Sequence, residues 1–215
     1  MHNGIRIKNY AAPKLDEREV LRYAGVRGEA DENVAALLRE CLKEAETAFS
    51  YRVCYCEMTV EKALSVFGKE CLAERFESAE KIVVFAATVG LEIDRLTKKY
   101  AGISTAKALL FQALGAERIE SLCNAFCEDM RRKYEAKGWH IHPRFSPGYG
   151  KFPLEKQTEI FALLDCPKTI GVTLSDSLLM SPTKSVTALF AIGKTPYEEI
   201  IACARCEKTD CNYRK

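Results

Sequence analysis

The sequence predicts an α+β domain preceded by a helical extension, and three observations support this fold class. Residues 16–49 carry a helical pattern. Residues 51–61 and 80–90 are rich in β-forming side chains and are typical of strands. A long helical pattern follows, from about Ser104 to about Lys137. Runs of helix and strand that are separated along the chain are typical of an α+β fold.

Two helices are predicted in the N-terminal extension, which we place at residues 1–50. The first, in LDEREVLRYAG, ends at Gly25. The second, in DENVAALLRECLKEAETAF, begins at Asp31, whose side chain can cap it, and has acidic residues in its first turn. The extension is therefore expected to pack as helices on the domain that follows.

The domain itself is placed at residues 51–200. In YRVCYCEMTVE, Val53 and Tyr55 alternate with Arg52 and Glu57, and EKIVVFAATVG is a buried apolar run that ends at Gly90. Both segments predict strands.

Further elements follow the second strand. Residues 91–100 predict a short helix, and the long helix contains Gly115 and has Gly138 just past its end as a cap. Pro153 introduces another helix in LEKQTEIFALLD, and residues 169–194 alternate like two strands joined around Ser181 and Pro182.

Composition excludes several classes of protein. The 32 Lys and Arg residues nearly balance the 30 Asp and Glu residues, so the net charge of +2 lacks the basic footprint of a nucleic-acid binder. The longest apolar stretch, residues 82–91, is roughly half of the ~20 residues that a membrane helix needs. The N-terminus lacks the apolar core of a signal peptide. We therefore expect a cytoplasmic protein that binds neither nucleic acid nor membrane.

Glu120 is the first unusual residue, because it interrupts a small and apolar stripe of the long helix. At about 100° per residue, six positions fall within about 40° of one line: Leu109, Ala113, Ala116, Glu120, Cys123 and Cys127. A carboxylate on such a stripe needs a partner. Two interpretations stay open: Glu120 reaches water or a neighbouring arginine, or it binds a cationic group of a ligand.

The segment HPRFSPGYGKFP, residues 142–153, is a rigid loop with one arginine and no acidic neighbour in the sequence. The planar guanidinium of Arg144 suits a carboxylate, and Pro147 with Gly148 predicts a tight turn whose backbone can approach a ligand closely. Tyr149 adds an aromatic face. The alternative is a surface turn with a solvated arginine.

The last residues, 201–215, form a cysteine-rich tail. Cys203, Cys206 and Cys211 in CARCEKTDCNYRK have the spacing of metal ligands. Zinc, an iron–sulfur cluster and unligated thiols all remain open, and the candidates for a fourth ligand are Cys54, Cys56, Cys166 or a small molecule. The other cysteines are assigned to packing: Cys41, Cys71, Cys123 and Cys127.

Three segments together resemble a known family: RFSPGYG, then FPLEKQTEIFALLD, then IGVTLSDSLLMSPTKSVTALFAIG. In order and spacing they are similar to the activation domain of cobalamin-dependent methionine synthase, which has an Arg-x-x-Pro-Gly-Tyr loop, a helix and a Pro-x-x-Ser strand pair. The resemblance covers roughly residues 82–197, and the chain ends look like the short stand-alone bacterial members. It implies a twisted antiparallel sheet flanked by helices.

The resemblance also implies a binding site for S-adenosylmethionine. Arg144 would hold the methionyl carboxylate, and Glu120 would meet a cationic part of the ligand. The remaining contacts would come from backbone groups of the loop and from two tyrosines: Ser146, Pro147, Gly148, Tyr149 and Tyr197. No catalytic residue is implied, because the reactive cobalt belongs to the partner.

The implied function is reactivation of cobalamin-dependent methionine synthase. The methyl group of S-adenosylmethionine would be presented to cob(II)alamin on a partner protein while an electron donor such as a flavodoxin supplies one electron. This would make the chain the activation component of a methyltransferase. The alternative is a metal- or iron–sulfur-binding electron-transfer or scaffold protein that serves another corrinoid methyltransferase.

Overall fold

An antiparallel sheet of five strands, in the order β1-β2-β3-β7-β4, forms the centre of the fold in the computed structural model, which describes residues 4–70, 72 and 79–196. Strands β5 and β6 form a separate two-stranded ribbon. The strands are β1 (Arg6–Tyr10), β2 (Tyr51–Thr59), β3 (Lys81–Thr88), β4 (His140–Ile141), β5 (Thr173–Leu174), β6 (Met180–Ser181) and β7 (Ser185–Gly193).

Seven α-helices lie within the described ranges, together with a 3-10 turn at Leu154–Lys156. The helices are α1 (Glu17–Tyr23), α2 (Glu32–Glu44), α3 (Val60–Phe67), α4 (Glu92–Ala101), α5 (Thr105–Glu135), α6 (Gln157–Leu164) and α7 (Cys166–Thr169). Helix α5, with 31 residues, is the long helix that the sequence predicts. The predicted α+β fold class is confirmed.

Side-chain caps fix the starts of helices α1 and α5. Asp16 accepts hydrogen bonds from the N–H groups of Arg18 and Glu19 at the start of α1, and Ser104 accepts one from Lys107 at the start of α5. Each cap satisfies a backbone N–H that has no partner inside its helix. Gly138, at φ 70°, lies just past the end of α5, as the sequence predicts.

The sheet separates two hydrophobic clusters, because successive side chains of its strands point to opposite faces. On one face, Val53 and Phe85 pack with α1, α2, α4 and α5. On the other face, Cys54 and Val84 pack with α3, α6 and α7. The β4 edge of the sheet lies against α5 beside the first cluster, and this is where the site described below lies.

Strand β1 was not predicted from the sequence, and it lies within residues 1–50. It pairs with β2 in an antiparallel register, with Ile7 opposite Cys54 and Tyr10 opposite Tyr51. The N-terminal segment therefore contributes an edge strand to the sheet as well as helices. Its side chains, RIKNY, are mostly exposed or half-exposed, so they lack the apolar alternation that indicates a strand.

The two strands predicted at residues 169–194 have unequal roles. The chain does turn at Ser181 and Pro182, which are joined by a cis peptide bond. However, β5 spans two residues and pairs only with β6, through Thr173 opposite Ser181, whereas the long strand β7 joins the main sheet beside β3.

Among the described helices, none is long and apolar enough to cross a membrane.

Candidate functional site

Residues 140–145 form the edge of the main sheet next to β7. His140 of β4 lies opposite Gly193 of β7. The His142 N–H donates to the Ala191 carbonyl at 2.9 Å, and Phe145 exchanges two hydrogen bonds of 2.9 Å with Leu189. The side chains of this edge alternate between the two faces of the sheet. Phe145 enters the second cluster, and Arg144 turns to the opposite side, towards α5.

Arg144 holds two side chains of α5 that are one turn apart. Its Nη2 donates to Oε2 of Glu120 at 2.5 Å, and its Nη1 donates to Oδ1 of Asn124 at 2.6 Å. The side chains of Arg144 and Glu120 are 24% and 45% exposed. Both predicted site residues therefore lie together at the surface, and Glu120 has the arginine partner that one of the two sequence interpretations expects.

The thiols beneath Arg144 add no negative charge to the site. Burial raises the pKa of Cys123 and of Cys127, and the nearby guanidinium of Arg144 only partly opposes this. Both thiols therefore stay protonated at neutral pH. Among the described residues, Glu120 is the one carboxylate in ion-pair contact with Arg144.

The loop after Arg144 is fixed by its own backbone hydrogen bonds. The Gly148 N–H donates to the Phe152 carbonyl at 2.7 Å, and the Tyr149 N–H donates to the Ser146 carbonyl at 3.3 Å. Gly148 has φ 93°, a conformation that favours glycine. The tight turn predicted at Pro147 and Gly148 is present. The N–H groups of Gly148 and Tyr149 both form hydrogen bonds within the loop.

Two buried aromatic rings anchor this loop to the second cluster. Phe145 and Phe152 pack edge to face with centroids 5.6 Å apart, one on each side of the turn. Tyr149, at the tip between them, is 72% exposed. The tip thus presents a large aromatic face to solvent on a rigid support, which is the geometry needed to stack on a planar ligand.

A groove of about 1000 Å³ runs from Arg144 along the second half of α5. The helix side includes Asn124, Cys127 and Arg131, and the strand side includes His140 and His142. Pro196, the last described residue, also lines this groove. Arg144 therefore lies between the partly exposed carboxylate of Glu120 and an open groove that is large enough for a small-molecule ligand.

Several predicted site residues lie outside the described residues. These are Tyr197 and the three tail cysteines, Cys203, Cys206 and Cys211, and Cys71 also falls there. Within the described residues, no group of three His, Cys, Asp or Glu side chains could hold a metal ion. Cys54, Cys56 and Cys166 are buried in the second cluster.

Asn124 is a site residue that was not predicted from the sequence. Its spacing from Glu120, four residues along one helix, puts the two side chains on the same face and could have indicated it. Leu109, which begins the predicted stripe, is 49% exposed, because the face of α5 that packs on the sheet is shifted towards Leu110 and Leu114. The stripe is therefore only partly a packing surface.

Together, the helix-flanked antiparallel sheet, the Arg144 loop and the paired Glu120 define a domain with a surface ion pair beside an open groove. Residues 69–215 match the family model described as vitamin B12 dependent methionine synthase, activation domain. The chain belongs to this family. The resemblance of the loop, helix and strand-pair segments is thereby confirmed.

A solved structure has the same fold. The structure described as the MetH reactivation domain bound to AdoHcy superposes with a TM-score of 0.61 and 15% sequence identity, over 87% of this chain and 78% of that chain. At this level of identity the likeness concerns the fold alone. None of the curated proteins matches the chain.

Proposed function

We propose that this chain binds S-adenosylmethionine and is the reactivation component of a cobalamin-dependent methionine synthase. Its family and the fold shared with a reactivation domain that binds AdoHcy support this function. The observation that carries the proposal is the contact between Arg144 and Glu120, which pairs opposite charges from two different elements at a half-exposed position.

This ion pair is complementary to the amino-acid end of the ligand. The methionyl part of S-adenosylmethionine has a carboxylate and an ammonium group on one carbon atom. The carboxylate can accept both N–H groups of the Arg144 fork, and the ammonium group can donate to Glu120. A half-exposed ion pair costs little to open, so exchanging it for two charge-assisted contacts favours binding.

The loop offers contacts for the adenosine end. The exposed ring of Tyr149 provides a surface for stacking on a purine, and the carbonyl groups of Ser146, Pro147 and Gly148 can accept hydrogen bonds from an amino group. Tyr197 remains a proposed further contact. This arrangement would hold the ligand at both ends and leave the sulfonium between them directed towards a partner.

The partner in this proposal is a protein that carries cobalamin. When the cobalt receives one electron from a donor such as a flavodoxin, the methyl group passes from the sulfonium to the metal and S-adenosylhomocysteine is left. The chain's own residues position the sulfonium and need not act as acid, base or nucleophile.

Isothermal titration calorimetry with S-adenosylmethionine tests this function. We expect Arg144→Ala to weaken binding by about 2–4 kcal/mol, or about 30- to 700-fold, because a charge-assisted pair at a partly desolvated site is lost. Arg95→Ala is the matched control, since Arg95 forms an exposed pair with Glu92 on α4. Absence of binding by the unmodified chain, or equal affinity of the Arg144 variant, would contradict the proposal.

A further inference from the structure

A second pocket lies at the other edge of the main sheet, away from the groove at Arg144. It has a volume of about 450 Å³ and is formed where β1 ends and β2 begins, together with the segment that follows α2. Its lining includes Asn9, Glu46, Phe49 and Arg52. Among the described residues, none lines both this pocket and the groove, and the groove adjoins β4 at the opposite edge of the sheet.

Arg52 is the unusual residue of this pocket, because its polar groups lack partners. Its Nε atom is buried and has no hydrogen-bond acceptor among the described residues. Within the same part of the chain, no carboxylate forms an ion pair with its guanidinium. A buried charged donor without an acceptor is unfavourable. An acceptor from outside the chain would therefore satisfy it.

The strand neighbours of Arg52 supply no negative charge. In the register of the sheet, Arg52 lies between Asn9 of β1 and Thr88 of β3. The Thr88 hydroxyl already accepts a hydrogen bond from the Gly90 N–H at 3.2 Å. A Cβ atom at Gly171 would lie 3.6 Å from Nη2 of Arg52, so the end of the arginine side chain lies against the turn that follows α7. The guanidinium is thus enclosed by uncharged groups on these sides.

The chemistry of the pocket favours a ligand with one carboxylate and an apolar body. The Nε–H and one Nη–H of a guanidinium are parallel and match the two oxygen atoms of a carboxylate. Phe49 and Tyr51, whose rings stack with centroids 5.9 Å apart, both line the pocket and offer apolar contact. The exposed carboxylate of Glu46 disfavours a doubly charged anion such as phosphate.

We propose that this pocket is a second ligand site, in which Arg52 binds the carboxylate of a small organic acid through its Nε–H and Nη–H groups. The bound carboxylate supplies the acceptor that Nε lacks, and the apolar part of the acid lies against the side of the pocket that Phe49 lines. The site does not depend on the proposed function, because it lies at the other edge of the sheet from Arg144.

Benzoate is a suitable probe, and the Nε–H resonance of Arg52 is a direct readout. We expect a saturable downfield shift of this resonance when benzoate is added to the full chain at constant ionic strength, and a smaller shift with inorganic phosphate. Arg52→Lys assigns the resonance by its disappearance. It keeps the charge but loses the fork, so benzoate affinity, measured from the benzoate resonances, should fall about tenfold or more.

Two further variants keep the test valid if Arg52→Lys is poorly folded. Glu46→Gln removes a like charge at an exposed position and should tighten benzoate binding about twofold. Arg39→Lys is the matched control, because Arg39 forms an exposed pair with Glu32 on α2, and it should leave benzoate affinity unchanged. An affinity that Glu46→Gln does not raise would contradict the proposed position of the carboxylate.

Arg144→Ala separates the second pocket from the site of the proposed function. Benzoate binding that Arg144→Ala abolishes and Arg52→Lys leaves intact would overturn the inference, because the acid would then be bound in the groove. An unchanged Arg52 Nε–H resonance, or a larger shift with phosphate than with benzoate, would also overturn it. The affinity of Arg52→Lys for S-adenosylmethionine should stay within about twofold of that of the unmodified chain. Its loss would contradict the separation of the two sites.

Discussion

Two glutamate–arginine pairs, one helical turn apart on α5, have opposite characters. In the first, Glu117 and Arg118 are neighbours in sequence, with side chains 2% and 5% exposed. In the second, Glu120 meets Arg144 from a different element, and both side chains reach solvent. One stretch of helix thus carries a carboxylate that is enclosed by the fold and another that reaches solvent. In the proposed function, a ligand takes the place of the partner of the second carboxylate.

The difference lies in how many bonds each pair makes besides its own. Glu117 also accepts the Asp16 N–H and the Ser121 hydroxyl, and Arg118 also donates to two backbone carbonyls. Among the described residues, the Glu120 side chain accepts a hydrogen bond from Arg144 alone. A ligand could replace the partner of Glu120 by a single exchange, whereas the partners of Glu117 are all parts of the folded chain.

The largest expected effect comes from breaking the buried pair. Arg118→Ala leaves Glu117 charged and buried without its main partner and removes two bonds to the N-terminal segment. We expect a loss of about 3–5 kcal/mol in the free energy of unfolding. Urea denaturation followed by circular dichroism measures it. A loss below about 1 kcal/mol would show that the contacts of Arg118 with Glu117 and with the N-terminal segment are not part of the stable fold.

A smaller effect on stability but a clear effect on binding is expected at the second pair. Glu120→Gln keeps the shape and loses the charge, so the free energy of unfolding should change by less than about 1 kcal/mol. Affinity for S-adenosylmethionine should fall about tenfold or more. A sharp loss of stability with unchanged affinity would reverse the contrast between the pairs. Glu92→Gln, in an exposed pair on α4, is the control and should alter neither quantity.

The smallest effect is expected from two carboxylates that accept hydrogen bonds near the C-terminal end of α5, and it depends on pH. A hydrogen bond from Lys8 lowers the pKa of Asp129 below its ordinary value. The unfolded chain therefore binds this proton more readily, and the contribution of Asp129 to stability is present above about pH 3.9 and is lost as the pH falls through its lower folded value.

We accordingly expect the free energy of unfolding to decrease on acidification below about pH 4, and to decrease less in Asp129→Asn. Urea denaturation at a series of pH values measures the two slopes. Glu57 contributes in the same direction: burial raises its pKa, but hydrogen bonds from Lys133 and Tyr134 outweigh this and the net pKa is lowered. Identical slopes for the variant and the unmodified chain would exclude a role for Asp129.

The long elements were predictable because local signals determine them. Ser104 marks the start of α5. The β2 segment alternates and is rich in β-forming residues, and β3 is an apolar run that is buried on both faces, so each indicates a strand by its own composition. Strand β1 was missed for the opposite reason. It lies at the sheet edge with exposed side chains, so its strand conformation depends on backbone pairing with β2 and leaves little trace in its sequence.

The site was predictable in part. The sequence indicates Arg144 and Glu120 separately, each as a charge without a local partner, but their mutual contact spans 24 residues and depends on how the sheet edge approaches α5. Asn124 could have been found by helical spacing.

Strand β1 has a consequence for the self-association of the molecule. It covers the outer edge of β2, where Val53, Cys54, Tyr55 and Cys56 form a buried apolar run. A shortened chain starting at residue 51 would expose that edge, with its unsatisfied backbone groups, as a template on which another β-strand could add. The exposed charges of Arg6 and Lys8 discourage such addition at β1 itself. The first strand thus protects the sheet from aggregation.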